Sequence, residues 1–365
     1  MGVCDVNRFT SIIVLLLVLA FLSSPLLVSI AYAAEDSWVT LAPIPTKRFF
    51  LGVAAVDGKI YAIGGAAGAG GVNATEMYDP VTNTWHTKAS MPTPRSGFGI
   101  AVVENKIYVI GGSRGGYDYT NVNEVYDPET DTWETLTPMP TPRMSLDANV
   151  VNGKIYMIGG FNYTWPYYCL DETEVYDTSI DSWTTKTPIP TATDYYASAV
   201  VDNKIYIIGG GGGPSNQIYD PETDTWSNGT SLPKGVDGAA AGATTGEMAP
   251  KRIYVIGGKQ NLDAVNLTQI YDPETDTWST GTAMPTSRYG LGVAIVNDVV
   301  YAIGGVTGWI APTTATNEQY TPAGYIPEFP SWTPTLLILI VLAVAVAIYK
   351  RKLPKTDNSA IILGD

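Results

Sequence analysis

Histidine and cysteine are almost missing from this chain: its 365 residues contain one His and two Cys. Protein zinc sites draw mainly on Cys and His ligands, so none of the usual kinds can be assembled here. No metal or other cofactor is implied. Cys4 falls in a stretch expected to be removed, which leaves Cys169 alone and excludes an intrachain disulfide in the mature chain. Positive charge is scarce as well, with Lys+Arg 21 against Asp+Glu 35 and a formal net charge of −14. Nucleic-acid affinity rests on clustered Lys and Arg, so nucleic acid is not an expected partner. Charged residues of both signs make up only 15% of the chain, whereas Gly 37, Pro 25 and Tyr 23 are abundant. That balance favours many short strands and tight turns over packed helices.

Long apolar runs are confined to the two ends. Arg8 precedes a run from Ile12 to Ile30, broken by Ser23, Ser24 and Pro25, and then Ala31-Tyr32-Ala33. A basic start, an apolar stretch and small residues at the cleavage positions predict a secretory signal peptide over 1–33; an uncleaved anchor is the alternative. Near the other end, residues 332–349 carry no charge, and eighteen residues at about 1.5 Å each reach ~27 Å, enough to cross a bilayer core. Trp332 and Tyr349 stand where interfacial aromatics belong, and Lys350, Arg351, Lys352 and Lys355 follow. The positive-inside rule puts the tail 350–365 in the cytoplasm and everything before the span outside. A single-pass membrane protein displayed at the cell surface is therefore expected, with 323–331 as a Pro-rich stalk.

Between the ends lies a repeat. Gly pairs close apolar strand patterns at Gly64-Gly65, Gly111-Gly112, Gly159-Gly160, Gly209-Gly210, Gly257-Gly258 and Gly304-Gly305, at steps of 47, 48, 50, 48 and 47 residues. A Tyr follows each pair, and in five repeats a Trp follows that Tyr by seven: Tyr78 and Trp85, Tyr126 and Trp133, Tyr176 and Trp183, Tyr219 and Trp226, Tyr271 and Trp278. Turn-forming Asp, Pro and Thr fill the interval. Segments such as Leu51 to Val56, Phe98 to Val103 and Gly238 to Ala243 are rich in small residues, which suits a crowded innermost strand.

Gly pair, Tyr and Trp in a period near 50 resemble the kelch repeat over Ser37 to Pro322. The resemblance implies an all-β, six-bladed propeller over 34–322, four antiparallel strands to a blade, plus the one C-terminal transmembrane helix. The sixth repeat lacks its Trp, and Ser37 to Leu41 with Trp38 matches the missing outer strand, so the N-terminus is expected to complete the last blade. Pro327-Glu328-Phe329 before the span also resembles the archaeal PEF-type C-terminal sorting signal.

Chemistry-bearing clusters are few. His86 follows Trp85 and reads as a solvated side chain of an outer strand. The turn Asp127-Pro-Glu129-Thr-Asp131 alternates acids like an EF-hand start but lacks the Gly at position six and the late Glu, so turn chemistry is the reading. Twelve acidic residues fall in the five Tyr-to-Trp turns and make one end of the propeller negative. At the other end, Arg48, Arg95, Arg143 and Arg288 lead into four inner strands, with Asp194 and Asp237 near the corresponding places of the other two. In kelch propellers such arginines can line a ligand-binding mouth; local hydrogen bonding to neighbouring loops is the alternative. The variable loops on that end add Tyr117, Tyr119, Tyr163, Trp165, Tyr167, Tyr168 and Trp309, rings suited to sugars and peptides alike. Sequons at Asn73, Asn162, Asn228 and Asn266 suit an exported glycoprotein. A surface module binding an extracellular protein or glycan is the leading expectation. A carbohydrate isomerase resembling kelch-type sialic acid mutarotases and a structural cell-envelope component are the alternatives.

Overall fold

The computed structural model describes residues 34–327 except 69, 165–166 and 309–312. The expected signal peptide, the transmembrane span, the basic tail and the end of the stalk lie outside the described residues, as do Trp165 and Trp309. Among the described residues no helix is long and apolar enough to cross a membrane.

Six four-stranded antiparallel sheets form the blades of a propeller. In the first blade the order from the axis outward is Gly52–Val56, Lys59–Ile63, Thr75–Asp79 and Thr84–Lys88, and the later blades repeat it. Inner strands run from a loop end to a turn end. Asp57-Gly58 and its equivalents turn the chain at positive φ, and the second strand then climbs back to the Gly pair. There both glycines have positive φ, and a Cβ on Gly64 would lie 2.8 Å from the Arg95 carbonyl of the next blade. Only glycine allows that approach.

Aromatic contacts knit neighbouring blades. The second-strand Tyr of each blade packs on the third-strand Tyr of the next, as Tyr61 does on Tyr126 at 5.9 Å and Tyr301 on Tyr78 at 6.3 Å. Within each blade that third-strand Tyr meets its Trp, 5.0 Å apart for Tyr78 and Trp85. A polar clasp repeats beside them. Trp133 Nε1 donates to the carbonyl of Ala89 at 2.9 Å, while the amide of Ala89 donates to Asp131, which also accepts the Tyr126 hydroxyl.

The sixth blade takes its outer strand from the N-terminus: Ser37–Thr40 pairs antiparallel with Asn317–Thr321, Trp38 opposite Tyr320. The clasp is complete there too. Trp38 Nε1 donates to the Thr282 carbonyl at 2.9 Å, and Asp36 accepts the Thr282 amide and the Tyr320 hydroxyl. Segments at opposite ends of the sequence thus close the ring in the same way as its interior blades.

Candidate ligand-binding face and channel

The four arginines do not line the mouth, which corrects the expectation for them. Arg48, Arg95, Arg143 and Arg288 are each 0% exposed. Arg48 Nη1 lies 2.5 Å from Glu76 Oε2 and Arg143 Nη1 2.6 Å from Glu174; Arg95 pairs with Glu124 and Arg288 with Glu318 in the same manner. Each guanidinium also donates to a second-strand carbonyl, Arg48 to Ala62 at 2.7 Å and Arg288 to Ala302 at 2.9 Å. Each glutamate accepts the hydroxyl of the Thr two residues before its Arg, as Glu174 does from Thr141 at 2.7 Å. Burial pulls Arg288 down to about 10, with Glu318 opposing the shift, so the charge survives at neutral pH. The two blades without this Arg have Gln217 and Gln269 where the others have Glu, and these bond to the backbone of Thr191 and Lys234. A buried charge is tolerable only with a matched partner, so Arg and Glu appear and disappear together.

One residue past the strand-leading bridge at the loop end, the six blades join in a closed ring of backbone bonds. Phe50 N donates to Gly290 O, Gly97 to Phe50, Ser145 to Gly97, Tyr195 to Ser145, Gly238 to Tyr195 and Gly290 to Gly238, all at 2.6–3.0 Å. All six residues have positive φ between 49° and 64°. Phe50 and Tyr195 stand on opposite blades, and their rings meet across the axis at 5.4 Å. Beyond them the channel opens into a cavity of about 320 Å³ walled by the inner strands.

Asp194 and Asp237 occupy the position equivalent to Phe49 and Tyr289, one residue later than the arginines. They sit on adjacent blades at the mouth. Burial raises both carboxyls, and Asp237 raises Asp194 further, while Lys259, 3.6 Å from Asp237 Oδ1, pulls both down. Cys169 is an exposed free thiol. Partial desolvation of its sulfur, together with the charge of and hydrogen bond to neighbouring Asp194, pushes it up to about 11, so little thiolate exists at neutral pH.

Next to this mouth the loop aromatics gather. Tyr117 meets Tyr163 at 4.8 Å, Tyr163 meets Tyr168 at 5.0 Å, and Phe161 stacks on Tyr168 at 6.4 Å and receives Tyr119 edge-on at 5.9 Å. Tyr117, Tyr163 and Tyr168 are exposed. The Tyr167–Cys169 strand carries Tyr167 into the same hairpin. Of the sequon residues, Asn73 and Asn228 are exposed, and Asn162 and Asn266 are half-buried. His86 is exposed. Among the described residues no cluster of three or more His, Cys, Asp or Glu is placed to hold a metal ion.

Sequence reasoning missed Phe50, Phe161, Tyr195, Asp147 and Asn149. The last two were legible: in the third repeat they interrupt an inner strand that is small and apolar elsewhere.

Six blades of this pattern, with Gly pair, Tyr and Trp each in its repeated place, define a kelch-type β-propeller. The chain belongs to the family described as the KLHDC2/KLHL20/DRC7 Kelch-repeats domain, which it matches over residues 34–160 and 137–305. It is similar to alpha-scruin of Limulus polyphemus, 33% identical over 75 residues, 20% of this chain and 7% of that protein. It is also similar to Kelch-like protein 28 of Homo sapiens, 31% identical over 87 residues, 23% of this chain and 15% of that protein. The likeness thus spans only a small part of those longer relatives. Among solved structures, that titled "Structure of YjhT" superposes with a TM-score of 0.65 at 18% identity, covering 76% of this chain and 95% of the other. That likeness carries the fold alone.

Proposed function

We propose that this protein is a membrane-anchored kelch propeller outside the cell that binds a protein ligand through its loop face. The observation carrying this reading is the joined cluster of Tyr117, Tyr119, Phe161, Tyr163 and Tyr168, whose exposed members Tyr117, Tyr163 and Tyr168 form an aromatic surface beyond what the repeat needs for packing. Rigid rings with a polar handle supply much contact area at low entropic cost, and such residues dominate binding energy at interfaces. The chain leaves the last blade at the opposite end, where Tyr325 bonds to Met248 of a turn-end loop.

The test is a screen of the soluble fragment 34–325 against envelope proteins and glycans. The double variant Tyr117→Ala with Tyr163→Ala is expected to weaken a ligand found there by at least ~2 kcal/mol with melting unchanged. Undiminished binding would overturn the assignment of the face. Protease added to intact cells is expected to remove the propeller and spare an epitope after Lys352; its digestion in sealed cells would refute the topology. The carboxyls of Asp194 and Asp237, on adjacent blades at the mouth and both raised first by burial, favour a second reading, sugar isomerisation by acid–base transfer there. An anomerisation assay on the same fragment separates the two: turnover lost in Asp194→Asn would favour the enzyme.

A further inference from the structure

The inner strands repeat one another, so each channel position has five internal controls. Two residues after the ring residue the blades carry Gly52, Gly99, Asp147, Ala197, Ala240 and Gly292. Two residues further they carry Ala54, Ala101, Asn149, Ala199, Gly242 and Ala294. Five blades offer only hydrogen or methyl groups at these places, and the third offers a carboxylate and a carboxamide. From the fourth blade Ser198 faces them, its Oγ donating to Asp147 Oδ2 at 3.2 Å. All three line the channel cavity.

Two features of this notch are unfinished. Asn149 is only 3% exposed, and its Nδ2 has no hydrogen-bond partner. Among the described residues Asp147 has no ion-pair partner. The other titratable groups facing the seam are Arg143, already matched by Glu174, and the phenols of Tyr195 and Tyr196, which burial keeps protonated. A half-buried carboxylate without a cation and a buried donor without an acceptor are both costly to the fold alone.

We propose that the notch binds a small organic ammonium bearing a hydroxyl or carbonyl oxygen beside the nitrogen. Its N–H groups donate to Asp147, and its oxygen accepts from Asn149 Nδ2. A bare cation would leave Asn149 unpaired, and a neutral polyol would leave the carboxylate's charge uncompensated.

Calorimetric titration of the full chain in detergent tests this with three probes: ethanolamine, propylamine and ethylene glycol. Ethanolamine is expected to bind saturably at pH 7.5, at least ~10-fold tighter than either of the others, and to weaken as Asp147 takes up a proton below pH ~6. Asp147→Ala and Asn149→Ala install residues that other blades already use at these positions, so both variants are expected to fold. Asp147→Ala is expected to weaken ethanolamine at least ~30-fold. Equal or tighter binding of ethylene glycol, undiminished binding by a folded Asp147→Ala, or no saturable binding of any probe would overturn the assignment. If Asp147→Ala does not fold, the ranking of the probes and the pH dependence on the unaltered chain decide it.

Discussion

At the scale of single residues, the sign of each carboxyl's shift separates ligand chemistry from architecture. Burial in the channel wall raises Asp147 to about 6, against about 3.9 in an unfolded chain. Between those values the folded state holds a proton that the unfolded state has released. Stability therefore falls as pH rises from ~4 to ~6 and stays at the lower level above. Asp147→Asn is expected to raise stability at pH 7.5 by on the order of 2 kcal/mol and to give no gain near pH 4, read from thermal melts at both values. An equal gain at both would mean that packing, not charge, sets the cost. The clasp residues run the other way. Asp131 and Asp181 are held below the ordinary carboxylate range first by the hydroxyls of Tyr126 and Tyr176 and then by neighbouring backbone amides. Their contribution is present above pH ~4 and is lost as pH falls through the depressed values.

At the scale of strands and blades, the Arg–Glu pairs join the loop leading into the inner strand to the third strand of the same blade. Removing one partner of a buried pair strands the other, which costs about 3–5 kcal/mol. Arg143→Thr is expected to lose that much in denaturant melts. Adding Glu174→Gln is expected to recover most of it, because the fourth blade already carries Thr193 with Gln217. No recovery in the double variant would mean that the guanidinium acts through its carbonyl bond to Met157 rather than through charge. The same pairs show why the mouth was misread from sequence. Each Glu lies about thirty residues beyond its Arg and looks like an ordinary strand-edge acid until the repeats are aligned. The signal was then available, since the two repeats lacking Arg carry Gln two residues before the Tyr. Strand order and Gly pairs were legible because each is written locally six times over, and the Tyr–Trp contacts because five of the six are written locally at a fixed spacing of seven. The Phe50–Tyr195 contact was not, because it joins opposite blades 145 residues apart and no repeat encodes it.

At the scale of the whole molecule, closure decides whether six marginal sheets act as one domain. Five blades are continuous in sequence, whereas the sixth joins residues separated by nearly the whole length of the propeller. This junction was legible because the last repeat lacks a Trp and the N-terminal segment holds a surplus one. Three kinds of contact meet there: the strand ladder from Ser37 to Thr40, the tilted rings of Trp38 and Tyr320 at 5.1 Å, and the clasp of Asp36 and Trp38 on Thr282. Loss of the strand would expose the Asn317–Thr321 edge and uncover Tyr320, which is 0% exposed in the closed ring. Burial of an aromatic side chain contributes about 1.5–3 kcal/mol, and each ladder bond adds about 0.5–1.5 kcal/mol. Deleting 34–41 is therefore expected to cost most of the ~5–15 kcal/mol typical of a folded domain. Trp38→Phe keeps the ladder and most of the ring contact while removing the indole donor, so it is expected to cost only about 1–2 kcal/mol. Thermal unfolding of the two variants measures both effects. If the deletion melts like the intact propeller, the N-terminal strand does not close the ring. If Trp38→Phe is as damaging as the deletion, the single clasp bond, and not the strand, holds the first blade to the last.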